Sequence, residues 1–300
     1  MKKILFYIIV ICLMNWNKSL PEESTTTKST LPVQYEELTA VDFIDAVKTS
    51  DMTCLIPLGI LEKHGPHLPV GTDLIDVREI ALRAAQKEYC IVFPEYYFGQ
   101  IYEAKHQPGT IAYSPQLVWN ILQETCDELS RNGIRNIVLV NGHGGNNHFL
   151  PYFCQAQLAS RRDYAVILFQ PANDPEVEKK VSELRKTKFD SHAGEEETSM
   201  MYAHRPDLVH PERGRDQSGE SLGRLDHLQH LYTGIWWYAN FPNHYAGDGS
   251  YANKEIGELL INSEVKQLVE VIKKVKKDKS IHKLQDQFYK ESENPLKTDQ

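Results

Sequence analysis

Asn136-Ile137-Val138-Leu139-Val140-Asn141-Gly142-His143-Gly144-Gly145 decides the fold of this 300-residue chain. Four apolar residues run from Ile137 to Val140 without alternation, as in a strand covered on both faces, and the glycines that follow mark a turn. Upstream, Leu117, Ile121, Leu122, Cys126 and Leu129 recur at helical spacing until Gly133 stops them. Downstream, the pattern predicts a helix from about Asn147 to Ser160 and a strand over Ala165–Phe169. The same alternation runs backwards through the chain. An amphipathic stretch, Ala40–Lys48, precedes an apolar run, Thr53–Pro57. A helix over Leu74–Lys87 then presents Ile80, Ala81, Ala84 and Ala85 on one face, and a short apolar run follows at Cys90–Phe93. Short apolar strands separated by helices of this length need right-handed crossovers. The expected class is therefore α/β, a three-layer α/β/α sandwich with a mostly parallel central sheet. Ligands of such folds collect at the carboxyl ends of the strands, which directs attention to the residues after Pro57 and after Val140.

Beyond this body, a short helix is expected at Glu196–Ala203, an irregular glycine- and aromatic-containing region over His210–Tyr251, and a long helix over about Asn253–Lys277. In the long helix Ile261, Val265, Leu268, Ile272 and Val275 form one stripe. Lys273, Lys274, Lys276 and Lys277 suit its C-terminal dipole. Residues 279–300 read as a polar tail and 35–278 as the main folded body. Lys2 and Lys3 before the apolar stretch Ile4–Met14 have the layout of a secretory signal, assigned to residues 1–20. Glu22, Glu23 and Ser24–Thr30 then read as linker over 21–34. The expected location is periplasmic or secreted. A lipid anchor at Cys12 is weakly supported, because Ile11 stands where a small residue normally precedes a lipidated cysteine. With 33 Lys+Arg against 41 Asp+Glu, a formal charge of -8 argues against nucleic acid and for a small-molecule partner or a second copy of the chain. Five cysteines with no CxxC pair exclude a disulfide scaffold or a zinc ribbon, and Cys54, Cys90, Cys126 and Cys154 read as buried thiols.

Three clusters carry chemistry. After the first core strand, an extended Glu62-Lys63-His64 projects a carboxylate and an imidazole to the same side. Gly65, Pro66, Pro69 and Gly71 stiffen a loop that brings Asp73 back towards them at a helix start, where Thr72 or Asp73 alternatively serves as a plain N-cap. Such ligands suit zinc, manganese or iron(II), and a carboxylate such as Asp73 can bridge two ions. The second cluster, Asn141 to His148, places His143 between glycines at a strand end as a metal-ligand candidate. His148, already inside the helix, is not one. The third, His192-Ala193-Gly194-Glu195-Glu196-Glu197, puts three acids in the first turn of a helix, which its dipole alone explains. Hydrolysis at a metal also needs a proton shuttle and a substrate-orienting group, and a His and a Glu here would supply both.

Together these segments resemble the creatininase (creatinine amidohydrolase) family. The signatures are Glu-x-His-Gly-Pro-His-Leu-Pro with Gly-Thr-Asp inside Gly59–Asp73, the Asn-Gly-His-Gly-Gly-Asn turn, and His-Ala-Gly followed by Glu-Thr-Ser. Weaker echoes stand at Pro108–Ile111 and Asp248–Gly257. The resemblance covers roughly residues 35–275. It implies an α/β/α hydrolase of non-peptide C–N bonds in cyclic or linear amides, with two divalent ions per subunit in a homo-oligomer, often a hexamer. By that mapping Glu62 and His143 hold one metal, His64 holds the other and Asp73 bridges them, while a metal-bound hydroxide attacks the carbonyl. His192 orients or protonates the substrate, and Glu197 is a ligand or a general acid/base.

Creatininase proper has a tyrosine and a metal-binding glutamate after the turn histidine, where this chain has Gly144 and Gly145. The second metal then needs another ligand, and Glu197 is the candidate. No tryptophan stands beside His192 in the chain to line a creatinine pocket; Lys186, Lys188 and Phe189 precede it. Relatives with the glycine turn act on formamides, peptide-derived cofactor precursors or oxidised sugars. Trp236, Trp237, Tyr238, Phe241 and Tyr245 either stack a planar ring or sugar or, by the blander account, serve packing or a subunit interface. His106 reads as structural or substrate-facing. The rival functions are hydrolysis of an oxidised sugar or lactone at the same centre, and non-catalytic capture of a small molecule or glycan.

Overall fold

The computed structural model describes residues 31–298; the signal, the Cys12 anchor and most of the stretch read as linker lie outside them. Within them the chain runs α1 (Ala40–Thr49), β1 (Thr53–Leu58), α2 (Thr72–Lys87), β2 (Ile91–Val92), α3 (Pro115–Arg131), β3 (Asn136–Asn141), α4 (Phe149–Ala156) and β4 (Ala165–Phe169). It continues through α5 (Pro175–Leu184), α6 (Glu195–His204), α7 (Trp236–Asn240), α8 (Lys254–Lys277) and α9 (Ser280–Ser292). The four strands pair in the order β2-β1-β3-β4, all parallel, with Thr53 opposite Asn136 and Leu58 opposite Asn141. Side chains alternate across this sheet. Leu55, Val92, Val138 and Val140 face α2 and α8, while Cys54, Ile56, Leu58, Ile91, Ile137 and Leu139 face α1, α3 and α4. The three-layer parallel α/β fold expected from the sequence is thus the one observed.

Several elements differ from the expectation. The helix expected over Asn147–Ser160 is divided into a 3-10 turn at Gly144–Asn147, α4, and a second 3-10 turn at Gln157–Ala159. The segment read as a polar tail folds as α9, with Tyr289 5% exposed and its hydroxyl donating to the Gln157 carbonyl. At the other end, the Val92 N–H donates to the Val33 carbonyl, so the last residues of the expected linker lie along β2. Cys54, Cys90, Cys126 and Cys154 are free thiols.

Gly59 fixes where β1 delivers the chain to the site. A Cβ there would stand 2.3 Å from the Leu74 Cα and 2.4 Å from the Leu74 nitrogen, backbone atoms of the first turn of α2. No side-chain rotation relieves that overlap. Gly59→Ala is therefore expected to destabilise the fold by about 3 kcal/mol in chemical denaturation; a loss below about 1 kcal/mol would show that α2 yields freely.

Candidate metal centre

Residues 59–71 connect β1 to α2 as a folded-back loop. The Glu62 N–H donates to the Val70 carbonyl at 2.9 Å, and the Thr72 N–H to the Pro69 carbonyl at 3.2 Å. The N-cap of α2 is Gly71, with no side-chain capping bond, and the Thr72 hydroxyl donates to the Pro69 carbonyl. The plain N-cap alternative for Thr72 or Asp73 is thereby corrected. Asp73 instead directs Oδ1 to His64 Nε2 at 2.9 Å and Oδ2 to His143 Nδ1 at 2.8 Å. Glu62 Oε1 lies 3.0 Å from the same His143 nitrogen and 4.0 Å from His64 Nε2, and Glu197 Oε1 lies 3.5 Å from His64 Nε2. Residues distant in sequence thus form two groups sharing Asp73: Glu62, Asp73 and His143, and His64, Asp73 and Glu197. Glu62, His64, Asp73 and His143 are 1%, 0%, 4% and 7% exposed.

Where the protons lie shows what these groups suit. His64 Nδ1 is 3.2 Å from the Glu62 carbonyl, and His143 Nε2 is 2.9 Å from the Gln100 carbonyl. A carbonyl only accepts, so each neutral ring carries its N–H outward and turns a lone pair inward. Those lone pairs meet carboxylate lone pairs, and the buried Glu62 Oε1 and Asp73 Oδ2 have no hydrogen-bond partner. Crowded acceptors without a donor are the arrangement a cation satisfies. Without one, protons are drawn in. Burial disfavours charge on His64, but Asp73 and Glu197 outweigh it and raise its pKa well above the usual value; Glu62 and Asp73 do the same for His143. Burial would raise Glu197, yet His64 foremost, with His192 and the Ala193 N–H, holds it at about 2. The carboxylate and imidazole donors fit zinc, manganese or iron alike.

The three acids after Gly194, indistinguishable by position in a helix start, point to three places. Glu195 accepts from the Lys186 and Thr187 N–H groups, anchoring the preceding loop. Glu196 pairs with Arg185, and only Glu197 reaches the centre. His192 is held by an antiparallel bridge to Ala246, and its Nε2 donates to the Lys63 carbonyl at 3.0 Å. Its other nitrogen lies 3.9 Å from Glu197, and its ring 4.5 Å from that of His64. At the turn, a Cβ on Gly145 would stand 2.4 Å from His143 Nε2 and 2.5 Å from Gln100 Oε1. The Gln100 side chain thus occupies the space beside Gly145. His148 is exposed and packs on Tyr232 instead of joining either group.

The centre opens into a cavity of about 1110 Å³ whose walls include Glu103, Lys105, His106, Trp236, Trp237 and Tyr238. The aromatic stretch divides: these three rings face the cavity, whereas Phe241 and Tyr245 are buried. Although no tryptophan neighbours His192 in sequence, Trp237 stands 5.8 Å from its ring. His106 lines the cavity and bonds to the Pro242 carbonyl. One residue escaped the sequence reading, His244, which is 2% exposed and hydrogen-bonded to Glu62. Its only signal was its place within the aromatic stretch.

A family model, Creatininase, described as creatinine amidohydrolase, matches residues 36–272. The creatinine amidohydrolase of Pseudomonas putida is 29% identical over 191 residues, 59% of this chain and 74% of that protein. The 3-dehydro-scyllo-inosose hydrolase of Thermotoga maritima is 26% identical over 219 residues, 69% of each chain. A crystal structure of creatinine amidohydrolase (creatininase) superposes with a TM-score of 0.71 at 24% identity, covering 82% of this chain and 99% of that one, a likeness of fold. Other solved creatininases of this fold are described as Zn-Zn type and as Mn.

Proposed function

The chain belongs to the creatininase family, and within it we propose a hydrolase that cleaves a non-peptide C–N bond of a small amide, cyclic amide or formamide at two divalent ions. The observation that carries this reading is the division of the Asp73 carboxylate, one oxygen towards each of two inward-facing imidazole lone pairs. Glu62, Asp73 and His143 would hold one ion, and His64, Asp73 and Glu197 the other. Zinc, manganese or iron held there would supply an activated water and polarise the carbonyl under attack.

The protein's own part is positional and protonic. His192 keeps its proton-bearing Nε2 on the Lys63 carbonyl, so Nδ1 is left to accept a proton and deliver it to the departing nitrogen. Glu197, ionised and beside His192, assists that transfer and stabilises the imidazolium formed. Trp236, Trp237 and Tyr238 seat an apolar or ring-bearing substrate face. That same wall and the inosose hydrolase relative favour the second reading, attack on a carbonyl of an oxidised sugar. We further propose export on the Lys2–Met14 layout and a homo-oligomer, up to a hexamer, checked by sedimentation.

The test is metal content per subunit in protein purified without chelator, followed by turnover of cyclic amides, formamides and oxidised sugars. About two equivalents with amide turnover support the proposal; metal-free protein that also refuses added zinc and manganese overturns it in favour of a binding protein. Glu197→Gln is expected to lower the content to about one equivalent and slow turnover about 100-fold. Two equivalents in the variant would remove Glu197 from the ligand set.

A further inference from the structure

Resting on the two-ion reading, we propose that His244 is a positioning residue, set in one tautomer by Trp237, that aims Glu62 at its ion. Trp237 Nε1–H can only donate, and it lies 2.8 Å from His244 Nδ1. His244 Nδ1 is therefore the acceptor, and the neutral ring carries its proton on Nε2, the nitrogen facing Glu62 Oε2. That bond occupies one carboxylate oxygen and leaves the other, Oε1, without a donor beside His143 Nδ1. A carboxylate free to rotate would spread its lone pairs over many directions; one tethered through Oε2 presents Oε1 to the cation site.

Independent features agree that the ring is placed on purpose. His244 has φ +55, a left-handed backbone that a side-chain-bearing residue adopts at a cost in conformational energy. Its N–H donates to the Phe241 carbonyl, closing the turn that carries the ring inward. The ring is wedged edge-on against His192 at 4.5 Å and against Trp237 at 5.7 Å. Because Trp237 also lines the cavity, the relay runs from the substrate wall to a metal ligand.

The experiment is zinc affinity of the full, metal-stripped protein, by competition with a chromophoric chelator, for wild type and four variants. His244→Ala and His244→Leu, which remove the donor with and without loss of volume, are both expected to weaken the binding step that involves Glu62 by about 10- to 100-fold. His244→Gln, whose amide N–H can reach the place of Nε2, is expected to recover most of that loss. Trp237→Phe, which releases the tautomer and keeps the ring, is expected to weaken zinc several-fold. Wild-type affinity in His244→Leu, or equal weakening in Leu and Gln, would overturn the proposal while leaving the two-ion reading intact. A wild-type chain that takes up no zinc would overturn both. If His244→Ala fails to fold, the Leu, Gln and Trp237→Phe comparison still decides.

Discussion

Asp73→Asn is expected to empty both ion sites together and lower turnover by about 1000-fold or more, since each 1.36 kcal/mol of lost transition-state stabilisation is a factor of ten and metal assistance is worth several kcal/mol. The argument is geometric. Asp73 Oδ1 faces His64 Nε2 and Oδ2 faces His143 Nδ1, and in an asparagine one of these positions becomes an NH2 group. An amide nitrogen cannot coordinate, and the charge that would hold two cations side by side is gone. At a pH high enough to leave both imidazoles neutral, the metal-free fold should not suffer. The new N–H donates to whichever imidazole lone pair it meets, and α2 keeps its Gly71 cap because Asp73 makes no capping bond. Elemental analysis and thermal melting of stripped protein at that pH check the two halves: no bound metal, with stripped variant and stripped wild type within about 1 kcal/mol. Wild-type metal content in the variant would refute the bridging role. Loss of metal with a collapsed stripped fold would make Asp73 structural instead.

The strands and the crossovers were legible because each depends on a local pattern, whereas Glu62, His64, Asp73 and His143 were grouped as ligands mainly through the motifs of the family resemblance. Ile137–Val140 reads as buried on both faces without knowing what covers it, and a glycine turn at a strand end is a place for chemistry in any parallel sheet. Legibility failed where the deciding partner is remote. His244 meets Glu62 across 182 positions, and no spacing rule links them. Trp237 reaches His192 only because the Ala246 bridge brings their segments together. The three acids at the start of α6 have one pattern and three fates, decided by Arg185, the Lys186–Thr187 backbone and His64. Helix α9 escaped for a different reason: Ile281, Leu284 and Phe288 recur at helical spacing, but they stand among Lys, Gln and Asp and the helix buries little beyond Tyr289, so the segment read as a tail. Helix α5, with only Val181 buried, was missed likewise, although Asp174 followed by Pro175 is a good helix start.

Chelation is expected to abolish turnover and, beyond that, to change how stability depends on pH. In the stripped protein His64 and His143 have raised pKa values, because the carboxylates around them outweigh burial. A group whose folded pKa lies above its unfolded value, about 6.5 for histidine, stabilises fully below that value and loses its contribution as pH rises through the folded one. The stripped protein should therefore weaken as pH rises above about 6.5, the unfolded histidine value. Ion binding has the opposite slope, since both imidazoles must be unprotonated to coordinate. At fixed free zinc the melting gap between loaded and stripped protein should therefore widen as pH rises. Glu62 and Glu197 do not disturb this, because their depressed values move their loss of stabilisation to the acid side, below the unfolded carboxylate range. Glu264, which burial raises to about 7, feels no residue of either ion group and shifts loaded and stripped forms alike, whereas Asp190 and Asp76, raised by burial foremost to about 7 and about 6, also feel Glu197 and so contribute to the gap. A gap that stays constant or narrows as pH rises would mean that protons and ions do not compete for His64 and His143, and the metal centre would have to be built from other groups.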